Sequence, residues 1–575
     1  MKHKRHLFIV LIVITLFACS YPKKKTYYSI DEALKNAPDV CSLIVSNKKL
    51  KTISPEISQL QNLEYLDLSH NHIENLPKTV GQLSKLKTIL INNNKLNSLP
   101  SEIKKLELKT LNISKNRTLH EPKFIYDIES LEELYIAGLG WEYNSKDTIY
   151  TIIFQGIKNL KKLKKLDISS YTWRVRNFPV EVTKLTHLEE LNLSDNWYES
   201  IPEELKRLTN LKKVNLSNFG DSITNLELLF MLPKLKDVNL KYNHFSLSKL
   251  PISCACQKVL KNIDVSFCKL KEFPIEFFQF SNLRQLNIEG NEINRLPQKL
   301  TGFRQLEKFA AGHNPYSKFP KVIEHLVSLK ELYLAGNYGI CGYSNPLFAS
   351  SDFDLRNLLQ LKILDLKDNQ FENLPNGLSK LQNLEILQLT NNHLNSDSCL
   401  RLITKLQDLQ KLDLSSNGIT KLPDTFSNMQ SLKTIIIANR YCEGVPVDDG
   451  FDKFPSVFCK MPNLTEIVIP GHRIEKIPKE ISNLVNLNTL ILSDNAIHRK
   501  FPEEFLQLDK IESIELYVYC VGETHKYCEE PFIIDPRICK LKNLKSLSFT
   551  GHPDTLVIAK IKNCLPDLQI YYDAW

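Results

Sequence analysis

The sequence contains no Gly/Ser-rich linker and no low-complexity break. That excludes the arrangement its length would otherwise suggest, several domains joined by linkers. Its N-terminal apolar run, Leu7 to Phe17, is about 11 residues, too short to span a bilayer, which takes about 20. There is no P-loop, no G-x-G-x-x-G opening a helix, no H-E-x-x-H, and no G-x-S-x-G between a strand and a helix. Nucleotide-binding, zinc-peptidase and hydrolase chemistry therefore have no recognisable carrier. The histidines are scattered. No C-x-x-C pairs mark a zinc site. Formal charge is +9 and falls to about +6 once Lys2, Lys4 and Arg5 leave with a signal segment. Spread over 575 residues, that is no nucleic-acid footprint.

What the sequence does contain is a frame. Leu384, Leu387, Leu389, Asn392 and Leu394 fall at positions 0, 3, 5, 8 and 10, the pattern L-x-x-L-x-L-x-x-N-x-L. It recurs as Leu63-Leu66-Leu68-Asn71-Ile73, Leu86-Ile89-Ile91-Asn94-Leu96, Leu283-Leu286-Ile288-Asn291-Ile293 and Leu487-Leu490-Leu492-Asn495-Ile497. From Val40 to Asp554 there are about twenty-one copies, mostly about 23 residues apart. The alternation Leu387-Gln388-Leu389 predicts a short strand in each copy. One copy cannot bury itself, whereas stacked copies bury one another's leucines in a continuous core. Between strands run Leu-Pro or Phe-Pro pairs, such as Leu76-Pro77, Phe273-Pro274 and Ile477-Pro478. A fixed φ and a missing N–H suit an irregular return or the start of a short helix.

These motifs resemble the leucine-rich repeat family, in the subclass with L-P-x-x-[ILVF] on the return. The resemblance implies an α/β right-handed solenoid: a curved parallel sheet on the concave face, with short helices and irregular turns on the convex face. It also implies recognition rather than catalysis. Some bacterial members carry a C-terminal catalytic domain with a nucleophilic Cys, but here the repeats run almost to Trp575, leaving no room for one.

The N-terminus reads as a signal peptide, residues 1–18: a basic start, the apolar run, then Leu16-Phe17-Ala18-Cys19. That tetrapeptide resembles a lipobox, which implies diacylation of the Cys19 thiol, cleavage before it and a membrane anchor on an exported protein. Residues 19–28 then form a lipidated tether. Residues 29–39 form an N-terminal cap, with Ser29 and Glu32 at capping-box spacing. The array spans 40–554 and a C-terminal cap 555–575. We expect a monomer, membrane-attached through its lipid, on the periplasmic or outer-membrane side if the source is Gram-negative.

Asn at position 8 has a structural task, satisfying backbone groups where the chain bends. Leu139, Tyr171, Arg440, His472, Tyr519 and His552 depart from it. Most lie beside four long turns, Gly140–Leu160, Gly339–Leu358, Tyr441–Met461 and Val521–Leu541. These carry Trp141, Tyr143, Tyr343, Phe348, Tyr441 and Tyr527, residue types that either bind partners or pack down to replace the missing Asn. On the outward strand face, position 4 reads Asp167, Asn192, Asn215, Asn239, Asp264 and Asn287. Such a strip either solubilises the face or binds a cation, a peptide backbone or a glycan. Farther along, Ile436, Val468 and Ile491 occupy the same column, with Ala438 and Pro470 beside them, and Tyr135 and Tyr333 also stand in it. An exposed apolar run of this kind marks a contact site.

Beyond Cys19, the cysteines suggest local disulfides in an exported chain, Cys520–Cys528 or Cys442–Cys459. Zinc readings of Cys254, Cys256 and Cys268, or of Cys520, His525, Cys528 and Cys539, lack paired spacing. Cys41, Cys399 and Cys564 read as buried apolar residues. The function expected is non-catalytic binding of a protein or peptide in the cell envelope, with no metal, cofactor or nucleic acid. A glycan-binding or adhesion protein and an intracellular scaffold are the alternatives.

Overall fold

The computed structural model describes residues 25–119, 122–139, 154–170, 177–220, 223–245, 254–316, 319–336, 353–439, 450–497, 500–518 and 532–573. Among them are twenty-three short strands, and every strand pairing in register is parallel. The chain divides into two units, Met1–Ile263 and Asp264–Trp575. The first unit runs from the strand Lys25–Tyr27 through Asp237–Asn239. The second runs from Gln285–Asn287 through Gln569–Asp573, and Asn262–Asp264 falls on the division.

Each strand from Val40–Ile44 to Ser546–Thr550 is the middle of one leucine frame. Leu384, Leu387, Leu389 and Leu394 are fully buried, as are Leu63, Leu66, Leu68 and Ile73. Equivalent residues sit side by side: Ile386, Leu387 and Gln388 pair with Lys411, Leu412 and Asp413. The period of the sequence therefore becomes the register of the sheet, and each apolar column becomes a stripe of core. Returning segments are mostly five-residue 3-10 helices. In many of them a proline in extended conformation stands just before the first helical residue, as Pro77 does before Lys78–Gln82 and Pro478 before Lys479–Asn483.

The asparagine column works as the frame requires. Asn392 Nδ2 donates to Leu389 O at 2.9 Å and to Leu366 O, one turn back, at 3.0 Å, and its Oδ1 accepts the Phe371 N–H at 2.8 Å. One amide thus stitches two turns. The residue before it, at position 7, takes the left-handed conformation in most turns: Asn391, His70, Asn93 and Asp494 lie at φ 55–57°. The sequence pattern located the bend but not this column. Where φ is left-handed and space is shortest, glycine is obligatory. A Cβ on Gly471 (φ +78°) would stand 2.0 Å from Asn439 O.

Both ends are capped. Helix α1 (Ile30–Lys35) begins at Ser29, whose side chain accepts from the Glu32 N–H. Residues Lys25–Tyr27, expected in the tether, instead form a strand parallel to Val40–Ile44. The exposed backbone edge of that first full turn recruits them. Helix α2 (Asp397–Ile403) replaces a 3-10 return. Helix α3 (Thr555–Cys564) starts from Asp554, whose carboxylate accepts the Leu556 N–H at 2.8 Å. The strand Gln569–Asp573 follows it along Ser546–Thr550. Cys539 and Cys564 are disulfide-bonded, which corrects the reading of Cys564 as an apolar filler and removes Cys539 from any zinc set. The two stand one repeat apart, 25 residues, so the bond ties α3 to the last return. Cys41, likewise read as a buried apolar residue, is also disulfide-bonded.

Candidate functional site: the outward face of the strands

The polar column at position 4 has a job that the sequence reading did not assign. The amides at positions 5 and 7 donate to the following turn, as Leu389 N–H does to Asp413 O and Asn391 N–H to Ser415 O, both at 2.8 Å. The position 6 amide has no such carbonyl. Instead the position 4 side chain folds back on it. Asp67 Oδ1 accepts from Ser69 N–H at 2.9 Å, Asp167 from Ser169 at 2.9 Å, Asn192 from Ser194 at 3.1 Å and Asp413 from Ser415 at 3.0 Å. These are Asx caps on the strand ends. The Asp/Asn strip is thus neither filler nor a free ligand set: at each of these turns one oxygen is committed to the backbone. Burial raises the carboxyl pKa of Asp167 and of Asp365.

Apolar or aromatic residues that cannot cap stand in this column at Ile44, Leu90 and Ala310, and at the five singled out, Tyr135, Tyr333, Ile436, Val468 and Ile491. Tyr135 and Tyr333 are half-buried, and their hydroxyls donate to Glu133 at 3.2 Å and Glu331 at 3.0 Å. The two glutamates are in turn bridged by Lys165 at 2.8 Å and Lys308 at 2.7 Å, and Lys308 Nζ also lies 4.9 Å from the Tyr333 ring centre. Beside Tyr135 the orphaned Ala137 N–H is taken by Ser114 Oγ of the preceding turn, at 3.1 Å. Beside Ile436 the same substitution recurs, with Ala438 N–H on Ser415 Oγ at 3.1 Å. Beside Val468 no substitute is needed, because position 6 is Pro470, which has no N–H.

Ile436, Val468 and Ile491 stand in successive register: Ile436 opposite Val468, and Val468 opposite Ile491. The row continues to Asp413 on one side and Glu515 on the other. It therefore reads Asp–Ile–Val–Ile–Glu across five strands. Ala438, Pro470, Ser493 and Tyr517 lie one pleat further along, beside a half-buried apolar strip bounded by carboxylates. Glu466, two residues before Val468, accepts from Thr434 Oγ1 at 3.0 Å.

A histidine sits under this strip. His472 replaces the position 8 asparagine and is buried. Its Nδ1 accepts the Phe451 N–H at 3.1 Å and its Nε2–H donates to Ile437 O at 2.7 Å. A neutral imidazole reproduces both halves of the amide. Burial holds its pKa down at about 4.

The second unit also carries a polar groove of about 710 Å³ at the strand entrances, lined by Lys362, Glu385, Gln410, Lys433 and Asn486 among others. Much of its polar equipment is already engaged. Asn383, Asn463 and Asn486 donate to carbonyls one turn back at 2.9–3.0 Å, Lys510 binds Asn486 at 2.7 Å, and Lys362 pairs with Glu385 at 2.7 Å. These asparagines form a second ladder, legible as the recurrent N-L-x-x-L. The groove is a by-product of repeat stacking and offers a glycan few free polar groups.

Cys459 carries a free, buried thiol, so the expected Cys442–Cys459 disulfide is not formed: its sulfur is packed in the core of the return segment rather than presented to a loop. Cys19, Trp141, Tyr143, Tyr343, Phe348, Tyr441, Cys442, Cys520, Tyr527 and Cys528 lie outside the described residues. Among the described residues no group of three or more His, Cys, Asp or Glu side chains is placed to hold a metal ion.

Stacked leucine frames, an asparagine ladder and a parallel strand face define a leucine-rich repeat protein. The chain matches the family model for a leucine-rich repeat region over residues 2–249 and that for the leucine rich repeat at 360–381 and 408–429. Among curated relatives, mouse Toll-like receptor 7 is 32% identical over 157 residues, covering 26% of this chain and 14% of the receptor. The TMV resistance protein N of Nicotiana glutinosa is 32% identical over 156 residues, covering 26% and 13%. The chain thus spans about a seventh or less of the length of these relatives. Among solved structures, the TLR13–ssRNA13 complex aligns with TM-score 0.55 at 18% identity, covering 94% of this chain and 86% of that one, a likeness of fold.

Proposed function

We propose that this protein binds a protein or peptide without catalysis, and that the apolar strip Ile436–Val468–Ile491 is its docking surface. The observation that carries the reading is the loss of the strand-end cap to aliphatic residues on three successive strands, where Ile44 and Leu90 lack it singly and Ala310 only beside Tyr333. At position 4 the repeat's own stability favours Asp or Asn. Tyr135, Tyr333 and Ile436 stand in turns that launch long segments, which supplies a local reason for the change. Val468 and Ile491 do not, and a half-buried β-branched side chain there contributes nothing to the cap. Apolar residues placed against the structural preference of the fold, side by side, fit a contact surface. Tyr135 and Tyr333, with Trp141 and Tyr343 on the adjoining long turns, are proposed as secondary contacts.

The proposal extends to an exported, lipid-anchored protein of the bacterial cell envelope, attached through Cys19. The basic start, short apolar run and Leu-Phe-Ala-Cys support it. Mass spectrometry of the mature N-terminus tests this part: an acylated Cys19 is expected, and an intact Met1 in cells overturns it. For the docking surface, the test is affinity capture from cells with the wild type and with Ile436→Lys plus Ile491→Lys. Loss of the captured protein is expected, whereas unchanged capture by a folded double variant defeats the assignment.

A further inference from the structure

We infer that the docking strip selects an extended peptide segment whose aliphatic centre is flanked on both sides by lysine or arginine. The inference rests on the docking reading above and adds the chemistry of the partner.

The row Asp413–Ile436–Val468–Ile491–Glu515 is one unbroken cross-strand ladder, each residue opposite the next. Three aliphatic side chains occupy its centre and a carboxylate closes each end. A third carboxylate, Glu466, stands on the strand of Val468, between Thr434 and Thr489 of the neighbouring strands. On other strands, glutamates in the column of Glu466 are paired within the protein: Glu133 with Lys165 at 2.8 Å, Glu331 with Lys308 at 2.7 Å, and Glu190 with Lys213 at 3.6 Å. Around the strip this pattern stops. Among the described residues, Asp413, Glu466 and Glu515 have only neutral hydrogen-bond partners, Ser415, Thr434 and Ser493. Acids without an ion pair among the described residues also occur singly at Asp67 and Asp264, but here they close both ends of an apolar row, so the complement of the surface is apolar in the middle and positive at the ends.

The spacing sets a length. Strands lie about 4.8 Å apart, so four steps from Asp413 to Glu515 span about 19 Å. A ligand crossing the strands in extended form advances about 3.3 Å per residue. Two cationic residues five or six positions apart therefore reach both ends while the residues between cover Ile436, Val468 and Ile491. The ion pairs are exposed at the rim, so they set selectivity and salt dependence, and the aliphatic centre supplies most of the affinity.

The test uses the purified full-length protein and three fluorescent nine-residue peptides. One has a Val/Ile centre between lysines five positions apart, one has the same centre between glutamates, and one has a Gly/Ser centre between lysines. Anisotropy titrations should show the first binding at least tenfold more tightly than either of the others. That advantage over the glutamate peptide should shrink severalfold in 0.5 M salt. Asp413→Asn plus Glu515→Gln should abolish the preference for lysine flanks. Asn caps the strand end at the same position of other turns, as Asn192 does, so this variant keeps the fold. Equal binding of the lysine- and glutamate-flanked peptides, or an unchanged preference in that double variant, overturns the inference. Equal peptide binding together with loss of the cellular partner in the double-lysine variant would overturn it while leaving the docking reading intact.

Discussion

Ser415 Oγ accepts the backbone N–H of Ala438 at 3.1 Å, reaching across from one turn to the next. The same hydroxyl donates to Asp413 Oδ1 at 2.7 Å. Ser415 thus caps the strand end of the following turn, whose own position 4 has been given to Ile436. The docking strip is possible because the neighbouring turn covers the backbone group that the isoleucine leaves bare.

Removing that hydroxyl should expose the debt. Ser415→Ala leaves a part-buried amide unpaired, which costs about 1 kcal/mol. Hydrogen exchange at the Ala438 amide should accelerate accordingly, while exchange at Leu389 stays slow. Adding Ile436→Asn, which restores the local cap, should recover most of the protection. If the single variant exchanges like wild type, the cap has been misassigned.

His472 should make the second unit sensitive to acid. Its folded pKa is about 4, below the ordinary imidazole value near 6.5. Between those values the unfolded chain binds a proton that the folded chain refuses. Stability is therefore full above pH 6.5, falls as pH drops towards 4, and changes no further below it on this account. The loss is about 3 kcal/mol, from about 1.4 kcal/mol per pH unit. Urea denaturation at several pH values should show that slope, and His472→Asn should remove its share of it.

Asn392 and Asn391 are adjacent but not equivalent. Asn392→Ala strips partners from Leu366 O, Leu389 O and Phe371 N–H, and should cost about 3 kcal/mol or more. Asn391→Ala loses a half-buried contact to Asp368 and an easy left-handed residue, and should cost about 1 kcal/mol. Chemical denaturation of the two variants separates the cases, and similar midpoints would contradict the ladder.

Two glycines make a matched pair. Gly418 has φ +66° and a Cβ there would meet only Asn395 Nδ2 at 3.6 Å, an ordinary contact, so Gly418→Ala should cost about 1 kcal/mol, the backbone penalty alone. Gly471→Ala adds a Cβ 2.0 Å from Asn439 O and should prevent local folding beneath the strip. Thermal melts of the two should differ by several degrees, with Gly471→Ala the lower.

The sequence revealed whatever is periodic. Leu384, Leu387 and Leu389 announce strand, face and register at once, because a repeat fixes which residues become neighbours. That is why Ile436, Val468 and Ile491 could be placed side by side before any coordinates. What escaped were interactions that leave no apolar rhythm. The cap from Asp167 to Ser169 is a polar residue bonding its own backbone two positions on, and its signal was the recurrent Asp/Asn-x-Ser. The left-handed column tolerates Lys115, Tyr242 and Phe267 as well as Asn, so composition hides it. The Cys539–Cys564 bond was hinted at only by two cysteines one repeat apart, and the strand Lys25–Tyr27 by nothing in its own composition.

The central claim is that a partner docks on the strand face around Val468. A photo-crosslinking amino acid at position 468, and as control at the exposed Val485 of a returning segment, reports this directly in intact cells. The account predicts a discrete crosslinked partner from position 468 that is absent from position 485 and lost when Ile436 and Ile491 are changed to lysine. No adduct from position 468, or the same adduct from both positions, would contradict it.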